Sequence, residues 1–309
     1  MKKILVTGGA GYIGSSLVFE LLQRGHSVQV VDSLMYGGRG LLPCFAFKTF
    51  QFKKADLRDP KEMAKAMEGK DAVIHLAAIV GYPACKKDPK LAEDVNVGIT
   101  QTIVENAKKG QELFYASTGS NYGALVGDLC TEETPLNPLS VYGVTKTRAE
   151  RLMQNAGAVV YRFATAFGVS NRFRLDLLIN DFVYRATKEK NLIIYEKSFK
   201  RTFIHIRDIV RAFCFAIDNH PKMHGEVFNV GHESMNFSKE DIANKLKEKM
   251  DFYLHYAEVG KDEDQRNYEV SYEKIRKLGF ETTISVDDGI DELIRAMAVI
   301  HVTHEYSNV

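Results

Sequence analysis

An α/β fold wound on both faces of a parallel sheet is what this sequence predicts, and two observations predict it. Through the first half of the chain, short β-branched apolar runs alternate with stretches whose apolar positions recur at helical spacing. Such alternation builds a parallel sheet joined by helical crossovers. The first run also opens into a glycine-rich turn, Thr7-Gly8-Gly9-Ala10-Gly11-Tyr12-Ile13-Gly14, at the strand-to-helix junction where a doubly wound sheet carries its first binding loop. The 309 residues, 45% hydrophobic and 26% charged, suffice for a sizeable core in one large or two intimate domains.

In chain order, strands are expected at KKILVT (2–7), SVQVVD (27–32), DAVIHLA (71–77), ELFYAS (112–117) and AVVYRF (158–163). Helices are expected over 12–24, 60–68, 89–109 and 140–155, with Gly25 and Gly110 as stops, since glycine reaches the left-handed conformation that closes a helix. After about Phe167 the rhythm changes to longer helices, 174–188, 207–219, 238–250 and 286–300, among isolated short strands. RTFIHI at 201–206, RDIVRAFCFAI and EVFNVG at 226–231 read as strand, helix and strand returning to the first sheet. The expected division is therefore 1–166 with 201–231 as a Rossmann-type dinucleotide-binding domain, and 167–200 with 232–309 as a smaller, discontinuous α/β substrate-binding domain. No internal repeat or low-complexity linker interrupts either part.

Charge and composition exclude several partners. The net charge is +1, with cations scattered among anions, so nothing attracts nucleic acid or an anionic membrane. The apolar stretch at Ile4-Leu5-Val6 is too short for a signal peptide, and no run approaches membrane length. Cys44, Cys85, Cys130 and Cys214 lack the close spacing of zinc ligands or redox dithiols and read as reduced packing thiols of a cytoplasmic protein. His75 and His205 lie in apolar strands and read as core histidines. His220, His224 and His232 lack organised carboxylate or thiolate co-ligands, so no metal is expected.

A literal glycine pattern at 9, 11 and 14 lets the chain turn tightly and lets a pyrophosphate approach main-chain amides, which makes Gly8, Gly11, Tyr12, Ile13 and Gly14 the expected cofactor contacts. Asp32, closing the second strand, stands where an acidic side chain accepts from adenosine ribose hydroxyls and repels a 2′-phosphate, which favours NAD over NADP. The alternative is a turn-forming Asp32-Ser33. Arg39, between glycines, is the neighbouring cation that could receive a 2′-phosphate. In Tyr142-Gly143-Val144-Thr145-Lys146, a tyrosine and a lysine one helical turn apart leave the same face. A nearby ammonium favours phenolate and so prepares a phenol for general-base work. A solvated surface pair has the same spacing.

Together, TGGAGYIG and this pair resemble the extended short-chain dehydrogenase/reductase family, in its NAD-dependent nucleotide-sugar epimerase and dehydratase branch. The resemblance runs along nearly the whole chain. It implies Asp56 and Leu57 as adenine contacts, Leu76, Ala77 and Ala78 of HLAA as the loop beside the cofactor, and Asn96 as a family position. It implies Tyr142 as base, Lys146 on the nicotinamide ribose and Thr118 on the reacting hydroxyl. Asn180, Arg201 and Arg266 are implied as contacts to the substrate diphosphate, for which guanidinium forks are suited.

Departures from the family pattern matter too. Dehydratases carry an acidic pair directly after the threonine; here Gly119 and Ser120 stand there, which disfavours elimination of water. Thr165 replaces the asparagine with which many epimerases contact substrate. AAIVGYPACKKDPKLAEDVN and RFRLDLLINDFVYRA resemble bacterial enzymes that oxidise C4 of a GDP-activated heptose. The reading is therefore net C4 oxidation of a nucleotide sugar, GDP-linked before UDP- or dTDP-linked, in surface-polysaccharide synthesis, with 4-epimerisation as the alternative. A non-catalytic dinucleotide-binding relative is the remote alternative, set against by the presence of both Tyr142 and Lys146. Helices near 89–109 and 140–155 resemble those that pair in family dimers, so a homodimer is expected.

Overall fold

A computed structural model describes residues 1–123, 129–258, 269–301 and 306–308. Its strands are β1 (Lys3–Thr7), β2 (Ser27–Asp32), β3 (Phe50–Lys54), β4 (Ala72–His75), β5 (Glu112–Thr118), β6 (Leu129–Cys130), β7 (Val159–Phe163), β8 (Thr165–Phe167), β9 (Asn191–Tyr195), β10 (Lys200–His205), β11 (Val227–Val230), β12 (Asn236–Ser238), β13 (Tyr253–Ala257) and β14 (Glu269–Val270). The helices are α1 (Tyr12–Gln23), α2 (Pro60–Met67), α3 (Tyr82–Lys87), α4 (Pro89–Glu93), α5 (Ile99–Asn106), α6 (Val141–Asn155), α7 (Leu178–Tyr184), α8 (Ile206–Met223), α9 (Lys239–Lys249), α10 (Glu273–Arg276) and α11 (Val286–Ala296). Among the described residues, no helix is long and apolar enough to cross a membrane.

Seven parallel strands form the main sheet in the order β11-β7-β5-β4-β1-β2-β3. The alternation of side chains sorts each strand between two cores. Ile4, Val6, Val28, Val30 and Tyr161 meet α1 and α8 on one face, while Leu5, Val31, Val73 and Val160 meet α2, α5 and α6 on the other. Burial on both faces is why these strands read as continuous apolar runs. A further core gathers Phe167, Phe182, Phe203, Ile242, Ile290 and Leu293 around α7, α9 and α11.

Several expectations need correction. Only EVFNVG returns to the main sheet, as β11; RTFIHI forms β10, which pairs with β8 and β12 in a separate three-stranded sheet. The first half of β10 runs antiparallel to β12, with Arg201 opposite Phe237, and its second half runs parallel to β8, with Phe203 opposite Thr165, so its hydrogen-bonding edges are taken outside the main sheet. β3 went unread because FQFKK is partly exposed and carries two lysines, the mark of an edge strand. The helix expected over 89–109 is α4 and α5 joined by a π-helical turn, Asp94–Gly98, and it ends at Asn106, short of Gly110. The helix expected from 174 starts at Leu178, because Leu177 is extended and the preceding loop is held by an Arg174–Asp176 ion pair.

The two larger cores meet where α11 crosses β8 and β10. A carbon added at Gly289 would lie 2.2 Å from Phe167 Cε2 and 3.0 Å from His205 Cδ2, and both those residues are fully buried. Replacing a helical glycine with alanine gains about 1 kcal/mol of propensity, but overpacking a rigid core costs about 1–3 kcal/mol. Gly289→Ala should therefore lower the melting temperature. A rise on thermal unfolding would show that the seam yields.

Candidate active site

The crevice lies at the carboxyl ends of β1 and β4, neighbours whose following helices cover opposite faces of the sheet, the switch point at which open α/β sheets bind ligands. Gly8, at φ 70°, turns the chain out of β1, and a side chain there would put its first carbon 2.6 Å from the Ala77 amide nitrogen. Such a carbon on Gly14 would lie 2.5 Å from Gly8 O, so helix and turn are in contact. At Gly11 only Gly8 O, at 3.2 Å, falls within reach. Gly11, at the N-cap, has no side chain to cap the amides of α1, and the first turn holds no acidic residue, so those amides and the positive end of the helix suit a phosphate.

Asp32 accepts from the Ala10 amide at 3.0 Å and the Leu34 amide at 2.8 Å, and each carboxylate oxygen keeps a lone pair for a ribose hydroxyl. Burial raises its pKa, and the two amides and Arg172 oppose that rise. Arg39 is exposed in a 3-10 helix, Arg39–Ala46. Arg172, far along the chain, is the cation that stacks on Tyr36, 4.7 Å from the ring centroid, within electrostatic range of Asp32.

Thr7 fixes the loop after β4. Its carbonyl accepts from the Leu76 amide at 3.1 Å and its hydroxyl from the Ala77 amide at 3.3 Å. Ala78 follows, half-buried. Asn96 pins Ile79 through both main-chain atoms and donates to Thr145 Oγ1 at 3.0 Å, tying the loop to α6. His75 bridges the Thr7 and Thr100 hydroxyls at 2.8 and 3.0 Å, and burial lowers its pKa to about 3, so it is a neutral core histidine. Asp56 is exposed and chelated by Arg58, which holds its carboxyl low, while Leu57 is buried against α2.

Ser140 caps α6 by accepting from the Gly143 amide at 3.1 Å. Tyr142 is half-buried against Ile79 and Cys85. One turn on, Lys146 is buried, its Nζ 4.1 Å from the Tyr115 ring centroid. Desolvation pulls its pKa down to about 7, opposed chiefly by Glu150. Helix α6 packs on β5 and on the turn after it, where the Thr118 hydroxyl accepts from the Ser120 amide at 3.1 Å. Tyr142, Lys146 and Thr118 are thus set on two elements in direct contact.

Beneath them lies a polar network that the sequence reading passed over. Glu150, on α6, accepts from Ser117 Oγ at 2.5 Å, Asn121 Nδ2 at 2.8 Å and Arg162 Nη2 at 2.6 Å. Arg162 donates onward to the Tyr122 hydroxyl at 3.0 Å, which reaches Asn229 Oδ1 at 2.7 Å. Its signals were an arginine inside the apolar run AVVYRF and a glutamate four residues after Lys146, on the same helical face.

A recess beside the network is lined by Gly119, Thr165, Arg201, Asn229 and Tyr272, which brings Arg201 to the Thr118 turn. Asn180 is fully buried and accepts from the Gly168 amide at 2.9 Å while donating to Arg174 O at 2.8 Å, so its side chain shapes the loop between them. The Tyr12 hydroxyl donates to Gly168 O at 2.9 Å, which leaves Tyr12, like Ile13, only its main-chain amide for a cofactor. Arg266 lies outside the described residues.

Residues 4–231 match the family described as NAD dependent epimerase/dehydratase. An uncharacterized UDP-glucose epimerase of Bacillus subtilis, YtcB, is 34% identical over 251 residues, which is 74% of this chain and 76% of that protein. The UDP-glucuronic acid 4-epimerase of Bacillus cereus, solved with UDP-glucuronic acid and NAD, superposes with a TM-score of 0.86 at 26% identity over 96% of this chain and 99% of that one. DesIV of Streptomyces venezuelae, a dTDP-glucose 4,6-dehydratase with NAD bound, superposes with a TM-score of 0.83 at 25% identity over 95% and 96%. Epimerase and dehydratase share the architecture, so the reaction has to be read from the site.

Two outcomes follow from this geometry. Titration should show NAD bound much more tightly than NADP, through Asp32, and equal or tighter NADP binding would transfer control to Arg172. Glu150→Leu alone should cost about 3–5 kcal/mol in denaturant unfolding, because it strands a buried guanidinium, and Glu150→Leu with Arg162→Met should recover most of that loss. A double variant no more stable than the single one would mean that the pair is not the interaction that matters.

Proposed function

The chain belongs to the NAD dependent epimerase/dehydratase family, and from that membership we propose that it is a nucleotide-sugar 4-epimerase, inverting C4 through a transient ketone. The observation that carries this reading is the turn after Thr118. Gly119 and Ser120 transfer no proton at neutral pH, and the carboxylates described around the turn are engaged: Glu150 faces Arg162, and Glu132 accepts from the Asn229 amide at 2.8 Å. Eliminating the 6-hydroxyl needs a proton donor and acceptor besides the tyrosine. Oxidation at C4 does not.

NAD supplies the hydride acceptor when bound. Tyr142 takes the proton of the C4 hydroxyl, Lys146 favours its phenolate by charge and holds the nicotinamide ribose, and Thr118 orients the reacting hydroxyl. Asp32 accepts from the adenosine ribose, and Arg201 offers forked donors to the diphosphate. UDP-sugars come first as substrates, because YtcB is named as a UDP-glucose epimerase and the Bacillus cereus enzyme was solved with UDP-glucuronic acid; a dTDP-sugar, as in the name of DesIV, and the GDP-heptose of the narrower resemblance come after. A homodimer belongs to the same proposal, supported by Val141 and Val144 exposed on α6.

One observation favours a second reading, net C4 oxidation with release of the keto sugar. Thr165, not asparagine, lines the recess beside Arg201, and this weakens the hold that a sugar needs while it rotates between hydride transfers. Incubating the enzyme with UDP-glucose, UDP-glucuronic acid and GDP-heptose, each with and without a soluble keto acid, separates the readings. Unchanged mass with inverted C4 supports the epimerase, loss of two hydrogens supports release, and loss of water overturns both. Tyr142→Phe should cut turnover by about 10²- to 10⁴-fold while folding and NAD content are kept. Near-normal turnover would put the base elsewhere.

A further inference from the structure

Lys146 is asked to carry a positive charge where water scarcely reaches it. A buried ammonium tends to give up its proton, and desolvation is the chief reason why this one falls to about 7. The groups that face it offer little relief. The Glu150 carboxylate, one turn further along α6, is already engaged by the Arg162 guanidinium. Cys85, on α3, donates its thiol to Ile79 O at 3.3 Å and is pushed up to about 11 by burial, so it is neutral. His75, on β4, is neutral as well, and Tyr142 is the base that the charge serves.

Tyr115, on β5, meets the ammonium directly. Its ring centroid lies 4.1 Å from Lys146 Nζ, and the ring is backed by His75 at 5.6 Å and 29°. The side chain is 1% exposed, and its hydroxyl has no hydrogen-bond partner among the described residues. An unpartnered buried hydroxyl is a cost to folding, so the ring face is the part of this side chain that meets a functional group.

We propose that Tyr115 is a positioning residue whose ring face seats the Lys146 ammonium and keeps it charged and fixed beside Tyr142. The proposal rests on the reading of Tyr142 and Lys146 as base and electrostatic partner. A ring face attracts the ammonium and not the neutral amine, and in a desolvated site this attraction is worth about one pKa unit or more. Weakening the face lets Lys146 lose its proton at lower pH, and Tyr142, with less cation beside it, ionises at higher pH. The pH profile of the coupled pair narrows from both sides.

The test is the pH dependence of kcat for the NAD-loaded enzyme carrying Phe, or mono-, di- or trifluorophenylalanine, at position 115. These rings are nearly isosteric, and fluorine drains electron density from the ring face. Tyr115→Phe should keep the wild-type width of the profile, and each fluorine should narrow it further, to about one pH unit in total, with KM changing less than kcat. Tyr115→Leu, if folded and NAD-loaded, should behave like the most fluorinated ring. A profile indifferent to fluorination overturns the proposal, as does equal narrowing in Phe and trifluorophenylalanine. Tyr142→Phe in the same assay keeps the two readings apart. If it is inactive while the fluorine series is flat, only the role of Tyr115 fails; if it is active, the assignment of the base fails first.

Discussion

The buried ion pair between Glu150 and Arg162 joins the parts of the site that the chain makes far apart. Its side chains are 2% and 5% exposed, and its partners come from the helix that carries Tyr142 and Lys146, from the two residues bracketing the Thr118 turn and from β7. Taking both charges out of water is expensive, and such pairs often add little net stability over an apolar replacement. What this one supplies is direction. A carboxylate with donors from Ser117, Asn121 and Arg162 has few ways to be satisfied, so α6 cannot slide along β5 without leaving buried polar atoms unpaired.

A second set of polar contacts joins the first glycine turn to the smaller core. The segment after β8 lies on α1: the Ser170 hydroxyl donates to Tyr12 O at 2.5 Å, and the Arg172 amide donates to Ser15 Oγ at 3.0 Å. At the far side of the same segment, the Val169 amide donates to Glu292, which also stands 3.4 Å from His205 Nε2. The loop that would meet a dinucleotide and the segment after β8 are therefore fixed to each other. This is why Arg172, remote in sequence, bears on the charge of Asp32.

The elements legible in the sequence were those whose pattern is local. β1, β2, β4, β5, β7 and β11 are apolar because both faces are covered, and the Gly8 turn and the spacing of Tyr142 and Lys146 each lie within a few residues. What escaped reading depends on distant partners or on weak local signals. β3 is a charged edge, and β10 leaves the main sheet although its sequence resembles a central strand. Asn180 matches a family position, and what the sequence could not show is that its side chain also joins Gly168 to Arg174. Arg162 stood in view as a charge within an apolar run, but its meaning needed Glu150, and no rule of spacing connects a helix face with the following strand.

The geometry of the site can then be traced to two clamps on one helix. At its first turn α6 approaches the Thr118 turn so closely that a carbon on Gly143 would lie 2.9 Å from Pro138 Cβ and 3.3 Å from Ser120 O. Two turns on, Glu150 holds the same turn through Asn121. Lys146 lies in the interval and Tyr142 immediately before it, against a loop that Asn96 fastens to Thr145. A helix held at both ends of so short a span has little freedom to tilt, so the distance from the phenol to Thr118 is set by main-chain contact above and by a charge pair below. Neither clamp is made by Tyr142, Lys146 or Thr118, so the helix is held without drawing on the groups proposed to do the chemistry.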